Sequence, residues 1–305
     1  MNTENMGFGR VSIPIVTPFT ADEEVNHDVY AQLIDYVIEN DMADSVISTG
    51  TTGEAYSLMF EERVALFKTA KKAVNGRCKL ICGTGCASTK ETILLTKEAV
   101  AAGADFCLIV APFYCKPNQE GIYTHYWRIA EETGAKIMLY NIPIFTGVNI
   151  DPETCARLAE HPNIIGIKDE SGINPNQILD YRIVTEKVDP NFIIFNGDDV
   201  MLLPTIVQGA QGIISGSAHI IGDVIKGIFD AFEQGKNDVA LEKFTVLYKF
   251  CGTWAKSGRT HPNPVLRPAI ELKTGLSIGA PRGPLAPITA EETVYLKQTL
   301  AELGI

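Results

Sequence analysis

The sequence predicts a closed (β/α)8 barrel, an α/β fold in which eight parallel strands alternate with helices on their outer side. Short apolar runs recur eight times, and longer segments with apolar residues at helical spacing lie between them. Several runs are apolar nearly throughout, which is typical of parallel strands that are covered on both faces. Eight such units favour a closed barrel over an open doubly wound sheet, which usually has fewer strands and a nucleotide-binding loop.

The predicted elements follow one another in regular order along the chain. The strands are predicted at residues 11–19, 45–50, 79–85, 106–112, 136–143, 164–171, 192–199 and 212–219. Between the first three strands, the spacing of apolar residues predicts helices over 27–39 and 60–74. No G-x-G-x-x-G loop or Walker A lysine follows a predicted strand, so the sequence does not indicate a nucleotide site.

The chain continues beyond the eighth predicted strand with a different pattern. Residues 224–234, 239–254 and 290–303 have helical spacing, whereas the Pro- and Gly-rich stretch 261–287 breaks it. We therefore expect a catalytic barrel over residues 1–223 and a helical region over 224–305 packed on the barrel. This region carries no recognisable chemistry, so we expect it to serve packing or oligomer contact.

Composition restricts the class of partner. The net charge of −11 disfavours a nucleic-acid binder, which needs a basic face to neutralise phosphates. The first ten residues lack the apolar segment of a signal peptide, and no apolar run approaches the roughly 18 residues of a membrane span. We expect a cytoplasmic protein that acts on a small molecule, without a nucleic-acid or membrane partner.

Neither a disulfide framework nor a metal site is predicted. The seven cysteines form no C-x-x-C pair and have no histidine at zinc spacing. Small buried hydrophobes are the commoner use of such cysteines in a reducing compartment. We expect no metal and no cofactor, and the absence of a His/Asp/Glu cluster argues against a metal-dependent aldolase.

Residues just beyond each strand are the candidates for chemistry, because active sites of such barrels lie at the carboxyl ends of the strands. Strand 2 ends in Gly50-Thr-Thr-Gly-Glu54, whose hydroxyls and backbone N–H groups suit a carboxylate. A plain turn with a helix cap explains this motif about as well. Strands 4 and 5 end near Tyr114 and Tyr140, although packing is the commoner role of such tyrosines.

Strand 6 ends in Lys168, at the end of an apolar run. Burial disfavours the charged form of an amine, and a neutral amine is a nucleophile towards ketones. The iminium formed in this way draws electrons from the neighbouring carbon and permits aldol chemistry or loss of water near neutral pH. The alternative is a lysine paired with Asp169 or Glu170 at the barrel rim, and strand 6 alone does not distinguish the two.

Three motifs together resemble a known family. Gly50-Thr-Thr-Gly-Glu54, Tyr140-Asn-Ile-Pro143 with Thr146-Gly147, and Gly166-Ile-Lys-Asp169 resemble, in order and spacing, the signatures of the dihydrodipicolinate synthase / N-acetylneuraminate lyase family. This resemblance implies a class I (Schiff-base) aldolase, lyase or dehydratase acting on pyruvate or another 2-oxo acid. It also implies a barrel with a helical C-terminal extension and a homotetramer built from tight dimers.

The same resemblance implies a role for each matching residue. Lys168 would form the Schiff base, and Thr51 and Thr52 would bind the carboxylate of the 2-oxo acid. Tyr140 would be the general acid/base, in a proton relay with Thr51 and with Tyr114, which the family places across the tight dimer interface. The position of Ile214 on strand 8 matches one whose backbone carbonyl often faces the lysine.

Departures from the family pattern predict the substrate branch. Phe145 stands where dihydrodipicolinate synthases carry an arginine for the carboxylate of aspartate semialdehyde, and phenylalanine makes no such contact. After strand 7, Gly197-Asp-Asp-Val200 replaces the Gly-x-Asp-Glu of neuraminate lyases. We therefore expect the chain to be closer to the sugar-acid aldolase branch, with Gly197, Asp199 and Ser215 at the substrate. Caps and loop hydrogen bonds are the commoner uses of Asp and Ser at such positions.

The predicted function is therefore a Schiff-base lyase or aldolase that acts on a 2-keto-3-deoxy sugar acid or a related substrate. Three alternatives remain open from the sequence. They are a dihydrodipicolinate synthase-type condensation of pyruvate with an aldehyde, a sugar-acid dehydratase, and an oxo-acid binding protein without turnover.

Overall fold

The computed structural model describes residues 7–172, 174–256 and 258–305. The strands are β1 (Val11–Pro14), β2 (Ser45–Ser48), β3 (Lys79–Gly83), β4 (Phe106–Val110), β5 (Ile137–Asn141), β6 (Ile164–Asp169), β7 (Ile193–Asn196) and β8 (Gly212–Ile214). Each strand pairs in parallel with the next, and β8 pairs in parallel with β1, so the sheet closes into a barrel. The predicted (β/α)8 fold is confirmed.

All eight predicted strands are present, but each is shorter than its apolar run. The predicted run 164–171 contains β6 at Ile164–Asp169, for example, and the run 11–19 contains β1 at Val11–Pro14. The residues that follow the strands leave the ladder and form the loops at the mouth of the barrel. They remain buried there, which is why the sequence does not distinguish them from strand.

Two apolar cores hold the barrel together. The interior core contains residues from most of the strands, including Ile47, Ile81, Met138 and Ile214. Phe8 closes one end of this core, where its ring stacks on Phe106 with the ring centroids 4.0 Å apart. The second core lies between the outer side of the sheet and the helices. With both faces of the strands covered, the mouth of the barrel is the part left open to a small molecule.

Helices follow the strands on the outside of the barrel. They are α1 (His27–Glu39), α2 (Phe60–Val74), α3 (Thr89–Ala101), α4 (Gln119–Thr133), α5 (Pro143–Thr146), α6 (Pro152–Ala159), α7 (Gln177–Thr185), α8 (Leu202–Gln208), α9 (Ala218–Glu233), α10 (Asn237–Ala255), α11 (Asn263–Thr274) and α12 (Ala290–Leu303). The predicted helices over 27–39, 60–74 and 290–303 coincide with α1, α2 and α12.

The prediction of an irregular stretch over 261–287 is wrong for its first part, because α11 lies there. Pro264 occupies one of the first helical positions, where its missing N–H has no partner to lose. Pro268 lies inside the helix and costs it one backbone hydrogen bond. The buried face of α11, which includes Leu266 and Ile270, outweighs this local cost.

The boundary predicted at residue 223 falls inside α9, close to a kink at Ile221. Helix α9 packs against β1 and also against α10, so it connects the barrel to the C-terminal helices. Within the described residues, no helix is long and apolar enough to cross a bilayer.

Candidate active site

A cavity of about 220 Å³ lies at the mouth of the barrel, where the carboxyl ends of the strands meet. It brings together most of the site residues that the sequence predicted. Of these, it is lined by Thr51, Thr52, Tyr140, Phe145, Lys168, Gly197, Asp199 and Ile214. Ser215 and Tyr114 are not among the lining residues.

Lys168 lies near the end of β6 and is 5% exposed. Its neighbours in the ladder are Tyr140 on β5 and Phe195 on β7. The Nζ atom is 3.8 Å from the centroid of the Tyr140 ring and 3.1 Å from Oε2 of Glu170. The amine therefore has an aromatic wall on one side and a single carboxylate beside it.

Of the two acidic partners considered for this lysine, the structure places Glu170 beside it. Lys168 and Glu170 are two residues apart along extended chain, so their side chains point to the same side. Asp169 points to the other side, where its Oδ1 accepts hydrogen bonds from Asn141 and Gln177 at 2.8 and 3.2 Å. The lysine is thus both paired and directed into the cavity.

Tyr140 connects Glu170 to the turn after strand 2. Its hydroxyl donates to Oε2 of Glu170 at 2.8 Å and receives a longer hydrogen bond from Oγ1 of Thr51 at 3.5 Å. Burial, followed by the charge of Glu170, raises the pKa of Tyr140 well above its usual range. Tyr140 therefore keeps its proton and acts as a hydrogen-bond donor near neutral pH.

Gly197, directly after β7, has no side chain, and Lys168 and Glu170 occupy the position where its Cβ atom would lie. A Cβ atom at position 197 would lie 2.4 Å from Cε of Lys168 and 3.0 Å from Cβ of Glu170. Both distances are too short for non-bonded carbon atoms. Any other residue at position 197 would displace Lys168 or Glu170.

A buried ion pair between Glu54 and Arg267 fixes the turn that carries Thr51 and Thr52. Glu54 ends the turn with φ 56°, and its Oε1 lies 2.7 Å from Nη1 of Arg267 on α11. Asn263 donates to the Thr52 carbonyl and to Oε1 of Glu54, both at 2.9 Å. Removing one partner of a buried ion pair costs about 3–5 kcal/mol. The C-terminal helices therefore help to fix the turn that the resemblance assigns to carboxylate binding.

Two further carboxylates, Asp198 and Asp199, line the same cavity. Burial raises the pKa of Asp198 to about 6, and Glu170 adds to this effect. Asp199 accepts a hydrogen bond from Oγ of Ser217 at 2.5 Å, and burial raises its pKa against the effect of hydrogen bonds from Ser215 and Ser217. Among the described residues that line the cavity, Lys168 is the single lysine or arginine.

Ser215 differs from its predicted position. It is fully buried, and its Oγ accepts a hydrogen bond from the backbone N–H of Ala218 at 3.2 Å. This contact fixes the start of α9, and Ser217 lines the cavity in its place. The serine that lines the cavity is therefore two positions further along, because the chain turns into α9 directly after β8.

His261 and Phe145 form an aromatic edge of the cavity. Their rings are stacked, with centroids 5.7 Å apart and an interplanar angle of 20°. Burial lowers the pKa of His261 to about 4, with an opposing effect from the backbone of Thr51, so its imidazole is neutral at pH 7. Nδ1 accepts from the N–H of Asn263 at 3.3 Å, so the proton lies on Nε2, and the ring also has a hydrogen bond with the backbone of Thr51.

A larger cavity of about 850 Å³ adjoins the first and shares Thr51, Tyr140, Phe145 and His261 with it. Lys168 does not line this larger cavity. The chemistry therefore belongs to the smaller cavity, and the larger one is its outer, mostly apolar approach.

Tyr114, the predicted third member of the relay, lies apart from Tyr140 in the single chain. Its side chain is 94% exposed, and its backbone is in the left-handed region at φ 69°. The contact between Thr51 and Tyr140 is present, whereas the described residues show no contact between Tyr140 and Tyr114.

In the described part of the chain, no three His, Cys, Asp or Glu side chains are grouped closely enough to hold a metal ion. The seven cysteines are free thiols, and Cys115 is the exposed one.

Sequence reasoning treated Glu170 only as a partner for Lys168 and did not single out Asp198, Ser217 or His261. The period of two along extended chain was a sufficient signal for Glu170, because it places residues 168 and 170 on one side. No comparable signal exists for His261, which reaches the cavity from the far end of the chain.

A closed barrel with a buried lysine, a phenol and a threonine turn at its mouth defines an enzyme of the Schiff-base aldolase and lyase class. Residues 7–303 match the model of the family described as the dihydrodipicolinate synthetase family. The chain belongs to this family, and the family resemblance predicted from the three motifs is confirmed.

Similar proteins carry synthase names. The chain is 41% identical over 300 residues to a 4-hydroxy-tetrahydrodipicolinate synthase of Desulforamulus reducens, covering 98% of each chain. A dihydrodipicolinate synthase structure from Bacillus anthracis superposes with a TM-score of 0.90 at 35% identity, covering 96% of this chain and 98% of the other. A structure described as a monomeric dihydrodipicolinate synthase variant superposes with a TM-score of 0.91 at 32% identity, covering 98% of each chain. These names do not support the expectation that the chain is closer to sugar-acid aldolases.

Proposed function

We propose that this enzyme condenses pyruvate, or a related 2-oxo acid, with an aldehyde through a Schiff base on Lys168. This is the alternative that the sequence left open, and the names of the relatives support it better than the sugar-acid interpretation. The observation that carries the proposal is the placement of a buried amine beside a phenol and a threonine turn in one small cavity.

The neutral amine of Lys168 attacks C2 of the 2-oxo acid, and loss of water from the carbinolamine gives an iminium. Loss of a proton from C3 then gives an enamine, whose C3 attacks the aldehyde carbon. Hydrolysis of the new iminium releases the product and restores the amine. Thr51 and Thr52 hold the carboxylate of the 2-oxo acid, and Tyr140 supplies the proton with which the carbinolamine hydroxyl leaves as water.

Borohydride trapping tests the nucleophile. Incubation with pyruvate and borohydride should add one reduced pyruvate to the intact mass, and peptide mapping should locate it on Lys168. Lys168→Ala should abolish the adduct while leaving the fold intact by circular dichroism. Lys136→Ala is the matched control, because this lysine binds the Pro162 carbonyl at the outside of the barrel. An adduct that persists in Lys168→Ala would remove the assignment.

A second candidate is the cleavage or dehydration of a 2-keto-3-deoxy sugar acid, and the charge of the cavity favours it. Glu170, Asp198 and Asp199 line the cavity together with Lys168, and a carboxylate oxygen is a good hydrogen-bond acceptor for a hydroxyl. The Phe145 side chain has neither a hydrogen-bond donor nor a positive charge with which to bind a second carboxylate. The part of the cavity lined by these carboxylates and by Phe145 therefore suits the hydroxyl groups of a substrate better than a carboxylate.

A substrate panel separates the two candidates. The enzyme is assayed with pyruvate plus aspartate semialdehyde in the direction of condensation, and with 2-keto-3-deoxy sugar acids and sialic acid in the direction of cleavage or dehydration. Turnover of the first pair supports the synthase, and turnover of a sugar acid supports the second candidate. A pyruvate adduct without any turnover would indicate an oxo-acid binding protein.

We also propose that the enzyme assembles as a homotetramer of tight dimers. The support is the exposed Tyr114 together with apolar side chains around the larger cavity, of which Tyr56 and Phe145 are 48% and 40% exposed. Exposed apolar patches of this kind mark interaction surfaces.

A further inference from the structure

A single carboxylate oxygen contacts both the nucleophile and the phenol of the site. Oε2 of Glu170 is 3.1 Å from Nζ of Lys168 and accepts a hydrogen bond from the Tyr140 hydroxyl at 2.8 Å. Hydrogen bonds that involve an ionised group are among the strongest in proteins. Glu170 is therefore placed to exchange protons with the reacting nitrogen.

The surroundings of Glu170 favour proton acceptance. Its side chain is 27% exposed, so a proton that it receives can pass to water at the mouth of the barrel. Among the described residues that line the cavity, Lys168 is the single lysine or arginine, so no other such cation competes for this carboxylate.

Tyr140 is unsuited to take a proton from carbon. Ionising its phenol would place a second negative charge 2.8 Å from the Glu170 oxygen. Burial and this neighbouring carboxylate both raise the pKa of Tyr140 well above its usual range. The phenol is the donor of the pair and the carboxylate is the acceptor.

We propose that Glu170 is the catalytic base of this enzyme, accepting first the Lys168 ammonium proton and later the C3 proton of the pyruvate iminium, with Tyr140 as the proton donor. This inference rests on the proposed Schiff base at Lys168. It divides between two residues the acid/base role that the family resemblance gives to the tyrosine alone.

The protons and electrons balance in both steps. In the first step an N–H bond of the ammonium breaks, Glu170 takes the proton, and the freed pair of Nζ attacks C2. Within the resulting carbinolamine, a proton moves from nitrogen to the former carbonyl oxygen. Tyr140 then protonates the leaving hydroxyl, which departs as water, and recovers its proton from Glu170. This step leaves an iminium on Lys168 and an ionised Glu170.

In the second step the C3–H bond breaks and its electron pair becomes the C2=C3 bond. The π pair of the iminium returns to nitrogen, and Glu170 takes the proton. C3 is two bonds from the nitrogen, or about 2.5 Å away. An oxygen that lies 3.1 Å from this nitrogen is therefore at most about 5.6 Å from C3, and proton transfer requires the Glu170 side chain to turn towards C3.

Deuterium exchange tests this inference without knowledge of the second substrate. The full chain is incubated with pyruvate in D2O, and loss of the methyl proton signal is followed by NMR. Glu170→Gln keeps the size of the side chain but removes its basicity. We expect it to lower the exchange rate per trapped iminium by about 10²-fold or more, whereas borohydride still traps pyruvate on Lys168.

Two controls make the result specific. Glu160→Gln removes an exposed carboxylate just before β6 and should leave exchange unchanged. Glu170→Ala should lose exchange and recover part of it when formate is added, because a free carboxylate can enter the vacated space. A residue that acts only through packing would not be rescued in this way.

The outcomes separate this inference from the proposed function. Absence of trapping in the unmodified enzyme would overturn the Schiff base and the inference together. Trapping with unchanged exchange in Glu170→Gln would overturn the inference alone. The inference also fails by itself if Tyr140→Phe abolishes exchange per trapped iminium while Glu170→Gln retains it, because the phenol would then be the base.

Discussion

Phe145 is the residue that we expect to select the second substrate. It lies on the short helix α5 after β5, where its ring stacks on His261 at the edge of the cavity. An aromatic ring at this edge provides contact area but no charge. An aldehyde with its own carboxylate would meet the acidic side chains of Glu170, Asp198 and Asp199, and Lys168 is the single lysine or arginine among the described residues that line the cavity.

Phe145→Arg should therefore raise the preference for an aldehyde that carries a carboxylate. A charge-assisted hydrogen bond contributes about 1.5–3 kcal/mol, so kcat/KM for aspartate semialdehyde relative to a neutral aldehyde should rise about tenfold or more. Phe145→Leu is the control, because it removes the ring without adding charge. An unchanged ratio of kcat/KM in Phe145→Arg would show that position 145 does not select the substrate.

Glu170 shows how one side chain changes the role of its neighbours. In the proposed mechanism, Tyr140 is the proton donor and Glu170 the acceptor, because two adjacent oxygens cannot both be ionised at low cost.

Successive side chains at the end of β6 point alternately into the cavity and away from it, and the two directions have different roles. Lys168 points into the cavity together with Glu170, whereas Asp169 points outward into a network with Asn141 and Gln177. This network also includes Tyr181 of α7, which receives a hydrogen bond from Gln177 at 2.8 Å. The strand that carries the nucleophile is thus held in place by polar contacts on its opposite side.

The ionisation of Asp169 makes the stability of this element depend on pH. Burial raises the pKa of Asp169 from 3.8 to about 6, although hydrogen bonds from Asn141, Ser171 and Gln177 oppose the shift. Because the folded pKa lies above the unfolded one, the folded state gains stability as the pH falls through 6. The contribution is fully present below about pH 4 and is lost as the pH rises above 6.

We therefore expect Asp169→Asn to lose this dependence. Between pH 7 and pH 5, the free energy of unfolding of the unmodified enzyme should rise by about 1 kcal/mol relative to the variant. Urea unfolding of both proteins at each pH measures the difference. Buried histidines titrate in both proteins and cancel in this comparison. A constant difference between the two proteins would place the pKa of Asp169 outside this range.

At the scale of the whole molecule, the site of the single chain opens towards an apolar surface. Tyr56 and Phe145 are exposed at the larger cavity, and Tyr114 is exposed in the loop after β4. Tyr114 also holds a left-handed backbone conformation, which costs a residue with a side chain about 1–3 kcal/mol. A partner chain that covers Tyr114 would supply the stabilisation that this conformation requires.

Tyr114→Ala should weaken the dimer and lower turnover together. Loss of a large aromatic anchor at an interface costs about 2 kcal/mol or more, so the dissociation constant from sedimentation should rise at least about tenfold. Tyr248→Ala is the matched control, because Tyr248 is 58% exposed on α10 and does not line either cavity. A tetramer with unchanged affinity and full activity in Tyr114→Ala would contradict the proposed interface.

The sequence by itself determined the barrel, the order of its strands and the family. Apolar runs and helical spacing are local properties, and the helices α1, α2 and α12 begin and end at the predicted residues. The same reasoning located Lys168, Tyr140 and Thr51, because the carboxyl end of each parallel strand must reach the mouth of the barrel.

The tertiary structure alone decided which side chains meet there. His261 lies more than 200 residues after Thr51 in sequence, yet both line the same cavity. Ser217 replaces Ser215 because of the path of the chain into α9, and α11 forms despite two prolines because its buried face outweighs their local cost. Contacts between segments that are far apart in the chain depend on tertiary packing. The spacing of residues within one segment does not predict them. The negative charge of the cavity lining, on which the proposed role of Glu170 depends, could be identified only from the tertiary structure.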